Sequence, residues 1–341
     1  MRLFPCVLSL GLLAAACDRR VPEPTGQPSS PATTPTSKAT AATTPARPVA
    51  PVAPAEPPAP FARAAAEHIV AIGDLHGDLD ITRKALKLAG AINDQDHWSG
   101  GSLVLVQTGD LIDRGDEDRA VLDLFERLQG EAKAAGGALI LLNGNHELMN
   151  SQFDFRYVTR PSFHSFDDQH GPIAVDSPAL RSLTPSERGR ATAFAPGGPY
   201  ARKFAEHLVT VKVGKTVFVH GGILPEHVTY GIDRLNGETS AWLRAERPQP
   251  PSVVVGETGA VWARIYSDTS SPPDCARLAQ ALTALDAERM VVGHTPQRQG
   301  INAACDGKVW RIDTGLSHHY GGPLQVLAID KNVPSVRKPA G

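Results

Sequence analysis

Apolar positions along residues 68–330 fall into short runs, set between stretches of helical spacing and glycine-rich breaks. The run His68–Ile72 predicts a strand ending in Gly73-Asp74. Leu79–Leu88 carries its apolar residues at helical spacing and stops at Gly90. Residues 103–106 predict a second strand ending in Gly109-Asp110, and residues 120–135 a second helix closed by Gly136-Gly137. Residues 139–142 predict a third strand running into Asn143-Gly144-Asn145-His146. This recurrence of strand, loop and helix marks an α/β sandwich. Residues 151–200 interrupt it. They are rich in Phe, Ser, Asp and Pro without a period, and predict a partly helical insertion over the strand ends whose loss would leave the sheet intact. The rhythm then resumes. Residues 208–213 and Thr216–Val219 flank Gly214-Lys215 as a hairpin, and the second strand ends in His220-Gly221-Gly222. Residues 233–245 and 278–287 predict helices, and residues 290–292 a strand ending in Gly293-His294. Residues 301–304 and 309–312 flank the hairpin turn Asp306-Gly307, and residues 325–329 form a last strand.

Composition divides the chain in two. Of its 341 residues 41% are hydrophobic and 21% charged, room for one large domain or two small ones. Twelve of the 29 prolines, however, lie in residues 21–60. Met1-Arg2, the apolar residues 3–13 and Ala14-Ala15-Ala16-Cys17 form an export signal, too short for a membrane anchor. Small residues running into Cys17 resemble the lipobox of bacterial lipoproteins. That resemblance implies cleavage after residue 16, a lipid on the Cys17 sulfur, and a membrane-anchored protein on the periplasmic or cell-surface side. A plain secretory signal is the alternative. Residues 17–60, rich in Pro, Ala, Thr and Ser, cannot bury enough apolar area to fold, so they predict a disordered tether or a functionless tail. Residues 61–335 are left as the folded domain.

Charge and cysteines narrow the partners. Residues 61–341 hold 29 Lys+Arg against 33 Asp+Glu, so nothing electrostatic favours nucleic acid. No apolar run approaches the roughly 18 residues of a spanning helix. Cys275 and Cys305 remain once the signal is removed, and in an oxidising compartment they can pair; two buried free thiols are the alternative.

Five predicted strands end in a Gly beside Asp, Asn or His: Gly73-Asp74, Gly109-Asp110, Gly144-Asn145-His146, His220-Gly221 and Gly293-His294. Ligands of α/β sheets bind at strand ends, and glycine lets backbone approach a ligand closely. Imidazole, carboxylate and carboxamide oxygen together suit borderline divalent metals such as Mn, Fe and Zn. One such terminus is an ordinary turn; five in one chain point to a metal site.

The ordered set Gly73-Asp74-Leu75-His76-Gly77-Asp78, Gly109-Asp110-Leu111-Ile112-Asp113-Arg114-Gly115, Gly144-Asn145-His146-Glu147, His220-Gly221-Gly222 and Gly293-His294-Thr295 resembles the motifs of the calcineurin-like metallophosphoesterases. Asp113-Arg114-Gly115 and His146-Glu147 resemble the phosphoprotein phosphatase branch. Asp113-Arg114-Gly115-Asp116-Glu117 and Val291-Val292-Gly293-His294-Thr295-Pro296-Gln297 resemble the Shewanella-like phosphatases within it. The resemblance implies a four-layer αββα sandwich with its active site at the strand C-terminal ends. It also implies a phosphatase of phosphoprotein Ser/Thr or Tyr or of small phosphomonoesters. Asp74 and His76 would hold one metal, Asp110 would bridge, and Asn145, His220 and His294 would complete the second. A hydroxide between the two metals would be the nucleophile. His146 would protonate the leaving oxygen, oriented by Asp113. Arg114 would bind phosphate through its planar fork, with Arg264 of Val261-Trp262-Ala263-Arg264 as a second such arginine. Tyr320-Gly321-Gly322 resembles a loop bearing an active-site tyrosine.

His164, His170, His318 and His319 are expected to be solvated, and Trp98, Trp242, Trp262 and Trp310 to be core or ledge residues. Two rival functions share these motifs: a dinucleoside polyphosphate hydrolase, and a lipoprotein that keeps the fold as an interaction module.

Overall fold

In the computed structural model, which describes residues 60–173, 177–268 and 271–340, the short apolar runs become two face-to-face sheets. The signal and tether, Cys17 included, lie outside the described residues. The domain opens with β1 (Ala62–Arg63), β2 (His68–Ile72), α1 (Leu79–Leu88), β3 (Val104–Gln107), α2 (Asp118–Ala134) and β4 (Ala138–Leu141). Next come α3 (Asn145–Ser151), α4 (Arg160–His164), a 3₁₀ turn at Pro178–Ser182, α5 (Pro185–Phe194) and α6 (Pro199–Phe204). The second half runs β5 (Thr210–Val213), β6 (Thr216–Val219), α7 (Pro225–Tyr230), α8 (Ile232–Leu243), α9 (Ser252–Val255) and α10 (Pro272–Ala284). It finishes with β7 (Arg289–Val292), β8 (Asn302–Ala304), β9 (Val309–Arg311), β10 (Val326–Asp330) and β11 (Val333–Arg337).

One sheet has the order β11-β10-β2-β3-β4 and the other β1-β5-β6-β7-β9-β8. Strands β2, β3 and β4 are mutually parallel, as are β6, β7 and β9, so each sheet directs a set of C-terminal ends one way. Alternate residues explain the four layers. Ile69 and Ala71 of β2 share a cluster with Val211, Phe218 and Val291 of the other sheet. Val70 and Ile72 instead share one with Leu86 of α1 and Val121 and Phe125 of α2. Both faces of these strands are buried, which is why their sequences read as unbroken apolar runs. The helices cover the outer faces, and the αββα sandwich expected from the sequence is present.

Several elements depart from the sequence reading, which predicts nothing at α3, α7 or α9. Residues 325–329 are not the last strand: β11 follows and pairs antiparallel with β10 at the sheet edge. Its Val333 is 65% exposed, so β11 has no buried face to give it an apolar signature. Strand β1 is too short to register as a run. Helix α10 starts ahead of the predicted helix at 278, because Ser271 and Asp274 form a capping box with Pro at the first helical turn. The disulfide joins Cys275 of α10 to Cys305 in the β8–β9 turn.

Candidate active site

The predicted residues meet at one end of the sandwich, where β2, β3, β4, β6 and β7 finish. Their backbone is unusual. His76, Asp110, Asp113, Arg114 and His294 all have positive φ, between 51° and 70°. L-residues take this conformation at a cost, and such outliers gather at functional sites. Two glycines allow the required approach. A Cβ on Gly144 would lie 2.2 Å from Asp110 Oδ1, and one on Gly293 would lie 2.5 Å from Asp74 Oδ1. Glu147 fastens the loops together, its carboxylate accepting from the N–H groups of Asp110 (2.9 Å), Leu111 (2.8 Å) and Gly144 (2.7 Å). Burial, and then Asp110, pushes the Glu147 carboxyl up to about 7.

The donor set fits metal ions. His220 Nδ1 lies 2.9 Å from the Thr108 carbonyl, which can only accept, so that nitrogen carries the proton and Nε2 presents its lone pair. Around Nε2 stand Asn145 Oδ1 at 2.9 Å, His294 Nδ1 at 3.1 Å and Asp110 Oδ1 at 3.3 Å. Lone pairs converging this closely need a cation more than a hydrogen bond. Among the described residues, buried His294 Nε2 has no hydrogen-bond partner. Burial lowers His294 to about 2 and His76 to about 3, which keeps both rings neutral and able to ligate. On the other side, His76 Nε2 is 3.9 Å and His146 Nε2 3.7 Å from Asp110 Oδ2. Asp110 thus stands in two clusters of metal-capable side chains, with His220 and His294 and with His76 and His146, and turns one oxygen to each.

Asp74 is placed beside these groups rather than within them. Its carboxylate accepts from the His294 N–H at 3.1 Å and lies 4.0 Å from His220 Nδ1. Burial, reinforced by Asp313 and Asp110, raises its carboxyl well above the usual range. Asp313 was not singled out by sequence, although Asp313-Thr314-Gly315 after β9 is one more acidic strand end. It is buried, its Oδ2 has no hydrogen-bond partner among the described residues, and burial raises its carboxyl to about 6.

The acid–base pair is formed. His146 Nδ1 donates to Asp113 Oδ2 at 2.7 Å. Burial alone would lower the imidazole, but Asp110 and Asp113 outweigh it and raise its pKa. Arg114, Arg264 and Tyr320 line the same cavity of about 140 Å³, together with Tyr157 and Trp262. The Arg114 guanidinium stacks on Tyr157 at 4.2 Å and lies 5.3 Å from the Tyr320 ring. Arg264 Nη1 donates to the His294 carbonyl (3.0 Å) and Thr295 Oγ1 (2.9 Å). Trp262 packs against the core, as expected of a core or ledge residue, and its ring, 5.6 Å from that of His294, also walls the cavity. His164, His170, His318 and His319 are exposed as expected, although His318 Nδ1 bonds to Asp78 at 2.7 Å. Tyr157 and Arg190, both in the insertion, were missed by sequence reading, since neither sits in a motif.

The calcineurin-like phosphoesterase model matches residues 67–298. Shewanella-like protein phosphatase 2 of Arabidopsis thaliana is 40% identical over 296 residues, covering 78% of this chain and 76% of its own. Shewanella-like protein phosphatase 1 of Plasmodium berghei is 30% identical over 275 residues, covering 77% and 71%. Among solved structures, the cold-active protein-tyrosine phosphatase of a psychrophilic Shewanella superposes with a TM-score of 0.64 at 22% identity, covering 83% of each chain. That last likeness concerns the fold alone.

Proposed function

From membership of the calcineurin-like phosphoesterase family, to which this chain belongs, we propose how this metal-dependent phosphatase cleaves its phosphomonoester. Asp74, His76 and Asp110 would hold one divalent cation, and Asp110, Asn145, His220 and His294 the other. Mn, Fe and Zn all suit these donors. Bound there, the pair supplies Lewis acidity and activates water. The observation that carries this assignment is Asp110, whose two oxygens face separate histidine groups.

The chain's own residues do the rest. Arg114 and Arg264, which line the same cavity, bind phosphoryl oxygens and fix the ester in place. His146, kept charged by Asp110 and Asp113, gives its Nε2 proton to the leaving oxygen. Asp113 holds the other ring nitrogen, so the ring cannot turn away.

The substrate is a phosphoprotein, as the names of the relatives suggest. An adjoining groove of about 270 Å³, lined by Arg114, Asp116, Glu117 and His318 among others, gives a peptide room beside the phosphate site. The rings of Tyr157, Trp262 and Tyr320 suit the aryl group of phosphotyrosine. Turnover of phosphotyrosine peptide, phosphoserine peptide and diadenosine tetraphosphate tests this, together with elemental analysis of protein purified without added metal. Phosphotyrosine peptide should be the best substrate. Preference for the dinucleotide would replace the substrate class.

The chain is exported and held by a lipid on Cys17. Supporting this are the signal-like start and a disulfide of the kind that persists in oxidising compartments. Among the described residues no helix is long and apolar enough to cross a membrane. Membrane partition that is unchanged by Cys17→Ala would remove the anchor.

A further inference from the structure

The insertion contains a cation with no access to solvent. Arg190 of α5 is 0% exposed, and its guanidinium is enclosed by the rings of Phe194 (4.8 Å), Phe166 (5.2 Å) and Phe163 (5.9 Å). Its donors are spent on the acid–base pair and the groups around it. Nη2 donates to Asp113 Oδ1 at 2.9 Å and to Asp118 Oδ2 at 2.7 Å. Nε donates to Asn150 Oδ1 at 2.7 Å, and Nη1 to Ser162 Oγ at 2.9 Å. Asn150 in turn donates to both Asp113 oxygens (3.0 and 3.1 Å) and to the His146 carbonyl (2.9 Å). Asp118 accepts from the Asp113 N–H at 2.9 Å and from Ser162 Oγ at 2.6 Å. Every donor and acceptor named here lies within one buried network.

Two physical points give this network a function. A buried carboxylate drifts toward its neutral form unless a cation and hydrogen bonds hold the charge, and Asp113 has both. A carboxylate fixed at both oxygens also has one orientation, so the ring it binds has one orientation too. We propose that Arg190 is a positioning residue for the proton donor: delivered by the insertion, it fixes the Asp113 carboxylate that orients His146, and so makes folding of the insertion a condition of turnover. This rests on His146 being the proton donor, and the test separates the two claims.

The measurement is leaving-group dependence. Phenyl phosphate releases a strong base that needs the proton, whereas p-nitrophenyl phosphate releases a much weaker one. Removing Arg190 alone would leave Asp113 and Asp118 facing each other. Arg190→Met is therefore combined with Asp118→Asn, which removes one charge of each sign. This double variant should keep its metal content and its KM. It should lose about 10- to 100-fold in kcat on phenyl phosphate but less than about threefold on p-nitrophenyl phosphate. A structural defect would reduce both substrates alike, and equal losses overturn the proposal. His146→Asn is assayed alongside. If it shows no leaving-group dependence, the proton-donor reading falls and this proposal with it. If His146→Asn shows the dependence and the Arg190 variant does not, only the positioning role falls. Added to His146→Asn, the Arg190 change should cost nothing further on phenyl phosphate, and a full additive loss contradicts action through His146. Should the double variant fail to fold, Arg190→Lys carries the same comparison, since it keeps the buried charge and loses only the fork.

Discussion

The strand-end loops and the insertion serve one site by opposite means. In the loops, a proposed ligand and the glycine or left-handed backbone that presents it lie within a few residues: Gly73 with Asp74 and His76, Gly144 with Asn145, Gly293 with His294. In the insertion, Arg190 reaches Asp113 across 77 residues and asks nothing special of its own backbone, since it sits inside an ordinary helix. The contrast follows from what each part must do. A metal ligand has to present a lone pair at a set position, and a rigid turn does that locally. A counter-ion need only arrive buried and paired, and any stretch that folds over the acid pair can bring it. The metal-bearing part therefore leaves a signature along the chain, and the positioning part leaves none.

What could be read in advance follows this division. The two-sheet fold was legible because strands buried on both faces are apolar throughout, as in Val70, Ala71 and Ile72. The site was legible because Asp74, His76, Asp110, Asn145, His220 and His294 are written next to glycines. Arg190 was invisible because a fully buried arginine looks the same in sequence as a surface one. Tyr157 and Trp262 were invisible as cavity walls because nothing local tells an aromatic core residue from an aromatic rim. Strand β11 was missed because an exposed edge strand has no apolar face. The insertion reads as dispensable to the sheet, yet it carries Arg190, which donates to Asp113 of the acid pair.

The largest expected effect breaks the loop side of the comparison. Asp110→Asn removes the charge shared by both ligand groups, so metal content and activity should be lost together. That is a loss of several kcal/mol in transition-state stabilisation. Elemental analysis with a phosphatase assay checks it, and full metal occupancy in this variant would contradict bridging. Next comes the residue on which loops and insertion converge. His146→Asn should keep the metals yet lose about 10²–10⁴-fold in kcat, read by single-turnover kinetics on a phosphopeptide. Near-wild-type turnover there would leave the insertion with nothing to position.

Arg114→Lys probes the loops again, at smaller scale. A lysine keeps the charge but not the planar fork, and the variant should lose about 1.5–3 kcal/mol in kcat/KM. Inhibition by inorganic phosphate should weaken in proportion, because on the proposed assignment product and substrate share the oxygens that Arg114 would hold. Unchanged phosphate inhibition would mean that Arg114 supports the loop rather than the substrate.

The smallest effect belongs to Tyr157, an insertion residue that lines the cavity. Its ring lies on the Arg114 guanidinium at 4.2 Å and 5.1 Å from that of His146, and it is 36% exposed at the cavity mouth. A half-exposed contact of this kind is worth about 0.5–1 kcal/mol. Tyr157→Ala should therefore raise KM for phosphotyrosine peptide a few-fold while kcat holds, and Tyr157→Phe should restore it, since the ring itself makes the contacts with Arg114 and His146. The insertion would then act on the site twice, through a hidden charge that sets kcat and an exposed ring that sets KM. If Tyr157→Ala instead lowers kcat with the same leaving-group dependence as the Arg190 variant, the ring belongs to the positioning network, and the insertion has one role rather than two.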